Sequence, residues 1–308
     1  MDQFITKSQK FLKVLDMAQQ FAKIPRPILI RGERGTGKEL LAQYIHQESE
    51  RKDNPFVTMN CAAFNDELLN AEIYGHEKGA FTGADQTKIG KLEQANGGTL
   101  FMDEIGNMSI SFQDRILRVI EYQEFERVRG TQKIKVDVRV ISATNADLEE
   151  LMNESLFRRD LYDRLTFAEL RLPALRHRRE DIPHLIVHFV KKLQEEIPNL
   201  IAKTFTRDSV EVLTDYYWPG NVRELKNIVE RVYLYGSNEK IKPGDLPPEI
   251  TGTAILGNSF QEKVEEFRKQ LILNTLAECD NSQRKAAAVL EMTYNQFRHY
   301  YRKYTLKK

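Results

Sequence analysis

The 308-residue chain has little cysteine: Cys61 and Cys279 stand far apart with no paired spacing. That argues against a disulfide framework and fits a reducing cytoplasm. There is no long apolar run and no signal-peptide pattern, so the expectation is a soluble, cytoplasmic chain without membrane insertion. Net charge is almost absent too. Lys and Arg number 46 against 45 Asp and Glu, leaving +1, so no global field points to a partner. Internal repeats are also missing, which excludes a solenoid. His184 and His188, at i and i+4, have no acidic partner and sit beside Leu185, Ile186 and Phe189. They read as ordinary helix residues, not zinc ligands.

Hydrophobic residues make up 41% of the chain, enough for a sizeable core in about two domains. Charge is uneven locally. Residues 281–308 carry seven basic side chains (Arg284, Lys285, Arg298, Arg302, Lys303, Lys307, Lys308) against Glu291 alone, so that end holds +6 and the remainder −5. Such asymmetry is expected of a nucleic-acid-binding tail.

The chain is organised around Ile28, Leu29 and Ile30, a buried strand, followed by Gly32-Glu33-Arg34-Gly35-Thr36-Gly37-Lys38-Glu39 and a helix with Leu40, Leu41, Tyr44 and Ile45. Strand, G-x-x-x-x-G-K and helix make a phosphate-binding loop. Its glycines let the backbone wrap a polyphosphate, the helix N-terminus adds partial positive charge and Lys38 a full one. Glu39 stands where the general motif has Ser or Thr for magnesium.

In chain order, residues 1–23 read as a helix and 56–59 as a strand ending at Asn60. Residues 72–84, with Gly75, Gly79 and Gly83, read as a mobile insertion. Residues 99–102 form a buried strand ending in Asp103-Glu104, 112–122 a helix, and 136–141 a strand followed by Thr144-Asn145. Strands alternating with helices predict an α/β domain, a parallel sheet covered on both faces. From Pro173 only helices follow (181–195, 207–217, 222–235, the last with Asn221 as N-cap) and read as a small helical lid. The expected domains are an α/β part with the phosphate loop at 1–172, a lid at 173–246, a linker at 247–260 and a helical unit at 261–308.

An apolar strand ending in Asp-Glu downstream of a phosphate loop supplies the second half of an NTPase site. Asp103 suits Mg²⁺ held through water, and Glu104 suits orienting and deprotonating the attacking water. Thr144 and Asn145 would approach the γ-phosphate. Arg158 and Arg164 are cations of the kind that stabilise phosphoryl transfer, although taken alone they fit a solvated helical face better. At the C-terminal end, Ser282 can cap one helix, and Thr293 with Gln296 forms a capping box opening a second. Two short basic helices across a tight turn predict a helix-turn-helix of the Fis-like kind. Tyr294, Gln296 and His299 would lie toward bases and Arg298 and Arg302 toward phosphates, with Thr293 at the helix start also in the DNA-binding set. Glu291 stands in the turn where glycine is usual. Val264, Phe267, Leu271, Ile272 and Leu276 make an apolar stripe suited to pairing two such units.

Gly79-Ala80-Phe81-Thr82-Gly83-Ala84 reads G-A-F-T-G-A. With the loop G-E-R-G-T-G-K-E, the block G-G-T-L-F-M-D-E at 97–104 and W-P-G-N-V-R-E-L at 218–225, the chain resembles the bacterial enhancer-binding activators of sigma-54 RNA polymerase, which are AAA+ ATPases. The resemblance implies ATP and Mg²⁺ as cofactors, with Gly32 through Glu39 on the nucleotide. It further implies that Asn60 restrains the catalytic Glu104, that Thr144 and Asn145 are a first sensor and Arg223 a second. Arg158 and Arg164 would act as arginine fingers on a neighbouring subunit in a hexameric ring. The hexapeptide would contact sigma-54, with Phe81 and Thr82 at the tip, and the C-terminal end would hold enhancer DNA. Only about thirty residues precede the loop, so no receiver domain is expected. That and the Thr-Tyr-x-Gln-Phe-Arg end resemble the phage-shock branch, implying an inhibitory, PspA-like partner. Ala174, His177 and Arg129 depart from the family pattern in the lid and second insertion. Two other readings remain: an AAA+ DNA-binding regulator acting without sigma-54, and an AAA+ remodeller of another protein.

Overall fold

The computed structural model describes residues 4–63, 66–81, 84–197, 200–236, 238–251, 268–269, 271–272, 275–276, 279, 282–290 and 292–305. Thr82, Gly83, Val264, Phe267 and Glu291 lie outside the described residues. Two compact units divide the chain, Met1–Asp245 and Leu246–Lys308.

The strands of the first unit are β1 (Ile28–Arg31), β2 (Phe56–Asn60), β3 (Gly75–His76), β4 (Lys88–Ile89), β5 (Thr99–Asp103), β6 (Glu124–Glu126), β7 (Lys133–Lys135), β8 (Arg139–Thr144) and β9 (Ala168–Arg171). Five of them form a parallel sheet of order β2-β5-β8-β1-β9. β1 is apolar, and every residue of β8 is buried, because both strands have helices on each side. Alternation then sorts the layers. Ile28, Ile30, Phe101 and Ile141 pack under α1 (Gln9–Ala22) and α2 (Lys38–Gln47). Leu29, Leu100, Met102 and Val140 pack against α3 (Asp66–Tyr74), α4 (Lys91–Gln94), α5 (Ile110–Tyr122), α6 (Leu148–Asn153) and α7 (Arg159–Leu165).

Two boundaries differ from expectation for identifiable reasons. The first helix starts at Gln9, not at residue 1, because buried Asp181 captures the donors ahead of it. Its carboxylate accepts from Thr6 Oγ1 at 2.8 Å, Lys7 N–H at 2.6 Å and Ser8 N–H at 3.1 Å. β8 begins at Arg139, not Val136. The N–H of Asp137 donates to Asn96 Oδ1 and that of Val138 to Gln123 Oε1, so side chains replace the ladder there. Arg139 itself is buried and donates to the carbonyls of Ala22, Phe21 and Arg26, closing the end of α1. Burial lowers its guanidinium to about 10.

The lid consists of α8 (Ile182–Glu196), α9 (Arg207–Asp215) and α10 (Asn221–Tyr235). Leu185, Ile186, Phe189, Leu225, Ile228 and Val229 are buried on α8 and α10, which pack together. Trp218, fully buried, donates Nε1–H to Leu213 O at 2.7 Å and meets Tyr216 edge-on.

In the second unit, the helices Gln283–Val289 and Tyr294–Thr305 enclose Ala286, Ala287 and Phe297. Ile272 and Leu276 are buried in that same cluster, so this part of the apolar stripe is internal core, while Leu271 stays exposed. The capping box is formed: Gln296 N–H donates to Thr293 Oγ1 and Thr293 N–H to Gln296 Oε1. Ser282 holds the N-cap position without a side-chain bond. In the expected linker, Pro248–Thr251 is helical and residues 252–260 lie outside the described residues.

Candidate nucleotide-binding site

The sequence after β1 must turn sharply, and the lid makes the turn tighter. Gly35 has φ +76°, and a Cβ there would stand 2.3 Å from Gly220 O. Only glycine fits both the conformation and the approach. Lys38 opens α2, is 7% exposed and donates Nζ to Gly32 O at 3.1 Å. Burial lowers its ammonium below the ordinary range, and the nearby Glu104 and Asp103 counteract that.

Loop, strand ends and lid surround a cleft of about 550 Å³. Of the residues expected at the nucleotide, Arg34, Gly35, Thr36, Gly37, Lys38, Glu39, Asp103, Glu104 and Arg223 line it. Parallel β2 and β5 put Asn60 beside Asp103. Among the described residues no hydrogen bond joins Asn60 to Glu104; Asn60 Oδ1 accepts from Ala62 N–H. Glu104 holds φ +57°, a strained conformation costing about 1–3 kcal/mol. Its Oε1 lies 3.7 Å from Arg34 Nε, and its Oε2 is buried without a hydrogen-bond partner. Thr144, fully buried, accepts Gly32 N–H on its carbonyl, and Asn145 is exposed beside it. Glu33 belongs to the loop in sequence, but its carboxylate faces Arg176 and Asn221 of the lid. Arg158 pairs with Asp114 and Asp160, and Arg164 with Glu121, so neither enters this chain's own cleft.

The cleft also holds residues that sequence reasoning missed. Phe4, Ile5 and Phe11 come from the N-terminal segment, Leu185, His188 and Phe189 from α8. His188 therefore lies on the cleft wall, while His184 is exposed. Arg178 is 3% exposed, stacks 4.4 Å over Phe11 and donates to Thr36 O at 3.0 Å. Burial lowers it to about 10. The departures at Ala174 and His177 leave Arg176 and Arg178 with their loop contacts. Asn221 is the first residue of α10, with φ +53°, and not its cap; Gly220 holds that position.

Asp103 and Glu104 offer hard oxygens, one of them orphaned. No cluster of three or more His, Cys, Asp or Glu forms an all-protein metal cage among the described residues. That donor set fits an ion of the Mg²⁺ type completed by phosphate oxygens and water.

Outside the cleft, antiparallel β3 and β4 carry the hexapeptide. Gly79, at φ +77°, donates its N–H to Ala84 O at 2.8 Å, Ala80 and Ala84 are buried, and Phe81 is 43% exposed against the His76 ring. The β6–β7 hairpin braces this ribbon. Arg127 bridges Glu77 and Glu93, and Arg129 adopts φ +58°, as a glycine would, reaching Gly79 O. In the second unit Thr293, Tyr294, Gln296, Arg298, His299 and Arg302 are all exposed, with Arg284 over the Tyr294 ring.

A parallel sheet of this order, with a phosphate loop after β1, which lies between β8 and β9, and a helical lid on the loop, defines an AAA+ ATPase module. Residues 4–171 match the family described as the Sigma-54 interaction domain, and 176–262 the AAA+ ATPase lid domain. The chain belongs to the sigma-54-interacting family of AAA+ transcriptional activators. It is 42% identical to the Psp operon transcriptional activator of Escherichia coli K12, covering 96% of both chains. It is 44% identical to the transcriptional regulatory protein ZraR of the same organism, covering 94% of this chain and 66% of that one. NtrX from Brucella abortus, solved in complex with ATP, matches with a TM-score of 0.75 at 33% identity, covering 99% of this chain and 70% of that one. No described helix is long and apolar enough to cross a membrane.

Proposed function

We propose that this chain is an activator that binds upstream enhancer DNA, assembles as a ring and uses ATP hydrolysis to remodel sigma-54 RNA polymerase holoenzyme into the open complex. One observation carries the reading: a chain with a nucleotide cleft also carries Gly79, Ala80 and Phe81 beside the braced β3–β4 ribbon, with Phe81 exposed. Loop amides and Lys38 take the phosphates, and Arg223 reaches them from the lid. Glu104 accepts the proton of the attacking water, with Asn60 one strand away to restrain it and Thr144 and Asn145 to sense the γ-phosphate. Asp103 would hold Mg²⁺, which would supply charge neutralisation on the phosphates. Arg158 and Arg164, outside their own cleft, serve the ATP of the next subunit, which is why a hexameric ring is needed.

The exposed basic face of the last helix serves DNA, as a Fis-like helix-turn-helix, with Gln296 offering bases its NH₂ because its oxygen caps the helix. The likeness to the Psp operon activator supports control of phage-shock genes under a PspA-like inhibitor. A pull-down in which that inhibitor neither binds nor slows ATP turnover would remove this last part. The main test is open-complex formation by purified sigma-54 holoenzyme with this protein, with and without hydrolysable ATP. Opening that depends on hydrolysis is expected. Turnover without opening would leave the remodeller of another protein or the regulator independent of sigma-54.

A further inference from the structure

The carbonyls of the phosphate loop are held almost residue by residue. Asn221 Nδ2 donates to Arg34 O at 3.1 Å, Val222 N–H to Gly35 O at 3.0 Å and Arg178 Nη2 to Thr36 O at 3.0 Å. In a trans peptide the C=O of one residue and the N–H of the next point opposite ways. Carbonyls held toward the lid at Arg34 and Thr36 therefore turn the N–H groups of Gly35 and Gly37 toward the cleft they line. That is the arrangement a polyphosphate needs.

A charged contact locks this set. The Glu33 carboxylate accepts two hydrogen bonds from Arg176, at 2.8 and 2.5 Å, and a third from Asn221 Nδ2 at 3.0 Å. Arg176 lies 4.6 Å over the Tyr217 ring. Asn221 is fully buried, and its Oδ1 accepts from Leu175 N–H at 2.7 Å. The backbone of Asn221 is left-handed, a conformation asparagine tolerates better than most residues. Glu33 has no place on the cleft wall, and its negative charge would repel phosphate. Its chemistry faces the lid.

We propose that Glu33, Arg176 and Asn221 form a positioning clamp that sets the phosphate loop in its binding shape before nucleotide arrives. The inference rests on the nucleotide reading of the cleft. Without the clamp the loop must be ordered at the moment of binding, so affinity falls by the cost of that ordering.

The test is calorimetric titration of the full chain with ADP and Mg²⁺, with thermal unfolding in parallel. Glu33→Gln keeps the size of the side chain and loses its charge. Asn221→Gly keeps the left-handed backbone at ease and removes only the amide. Each is expected to weaken ADP by about tenfold, as is Arg176→Met. The double variant Glu33→Gln/Arg176→Met should be no weaker than the worse single, because both break one contact. ADP affinity equal to wild type in the single variants overturns the clamp, whatever the unfolding temperature does, since a merely structural pair would move that temperature alone. Additive losses in the double variant overturn it as well. A wild-type chain that does not take ADP removes the nucleotide reading and the clamp with it.

Discussion

Lys38 joins near-complete burial to a charge supported by the Gly32 carbonyl and by the nearby Glu104 and Asp103 carboxylates. Lys38→Ala should weaken ADP at least about 100-fold in a calorimetric titration, since charge-assisted bonds to phosphate are lost. Glu104→Gln keeps the shape and removes the base; it should still bind ATP while turnover, read by phosphate release, drops roughly 10²- to 10⁴-fold. Glu33 gives a pH signature. The Arg176 hydrogen bonds hold its carboxyl at about 2, below the ordinary 4.5. A lowered folded-state value contributes stability that is present above about pH 4.5 and lost as pH falls toward about 2. Urea melts across that window should therefore show wild type converging on Glu33→Gln as the medium becomes acid. At this scale Lys38, Asp103 and Glu104 were legible, because their chemistry follows from local spacing. The partner of Glu33 was not, since Arg176 stands 143 residues away.

Among the elements, the lid depends on one side chain. Trp218 fills the space behind the turn into α10 and is tied to Leu213 O. Trp218→Ala should cost about 3–5 kcal/mol in urea unfolding followed by circular dichroism. The apolar parallel strands and the helix capping box could be read directly, as periodicity and cap chemistry are local. The start of α1 could not, because Asp181, far along the chain, takes the donors ahead of it. The stripe at Ile272 and Leu276 misled for a related reason: an apolar face looks the same whether a second copy or its own helix pair covers it.

In the whole molecule the cleft rests on the five-stranded sheet and the hexapeptide on the separate β3–β4 ribbon, so hydrolysis and its use should separate genetically. Thr82→Ala is expected to keep ATP turnover and lose promoter opening, measured in the same sigma-54 reaction. A fully active variant would count heavily against the ribbon as the contact with the polymerase.

The sequence by itself determined the class of chemistry. Glycines, one lysine and an acidic pair at fixed local spacing suffice for a phosphate site, and a six-residue motif suffices to signal the family. Only the tertiary structure decided which groups complete the cleft. Phe11, Arg178 and His188 come from segments remote in the chain from the loop, and they reach the cleft only where packing of the lid and the N-terminal segment removes water and brings charges into contact.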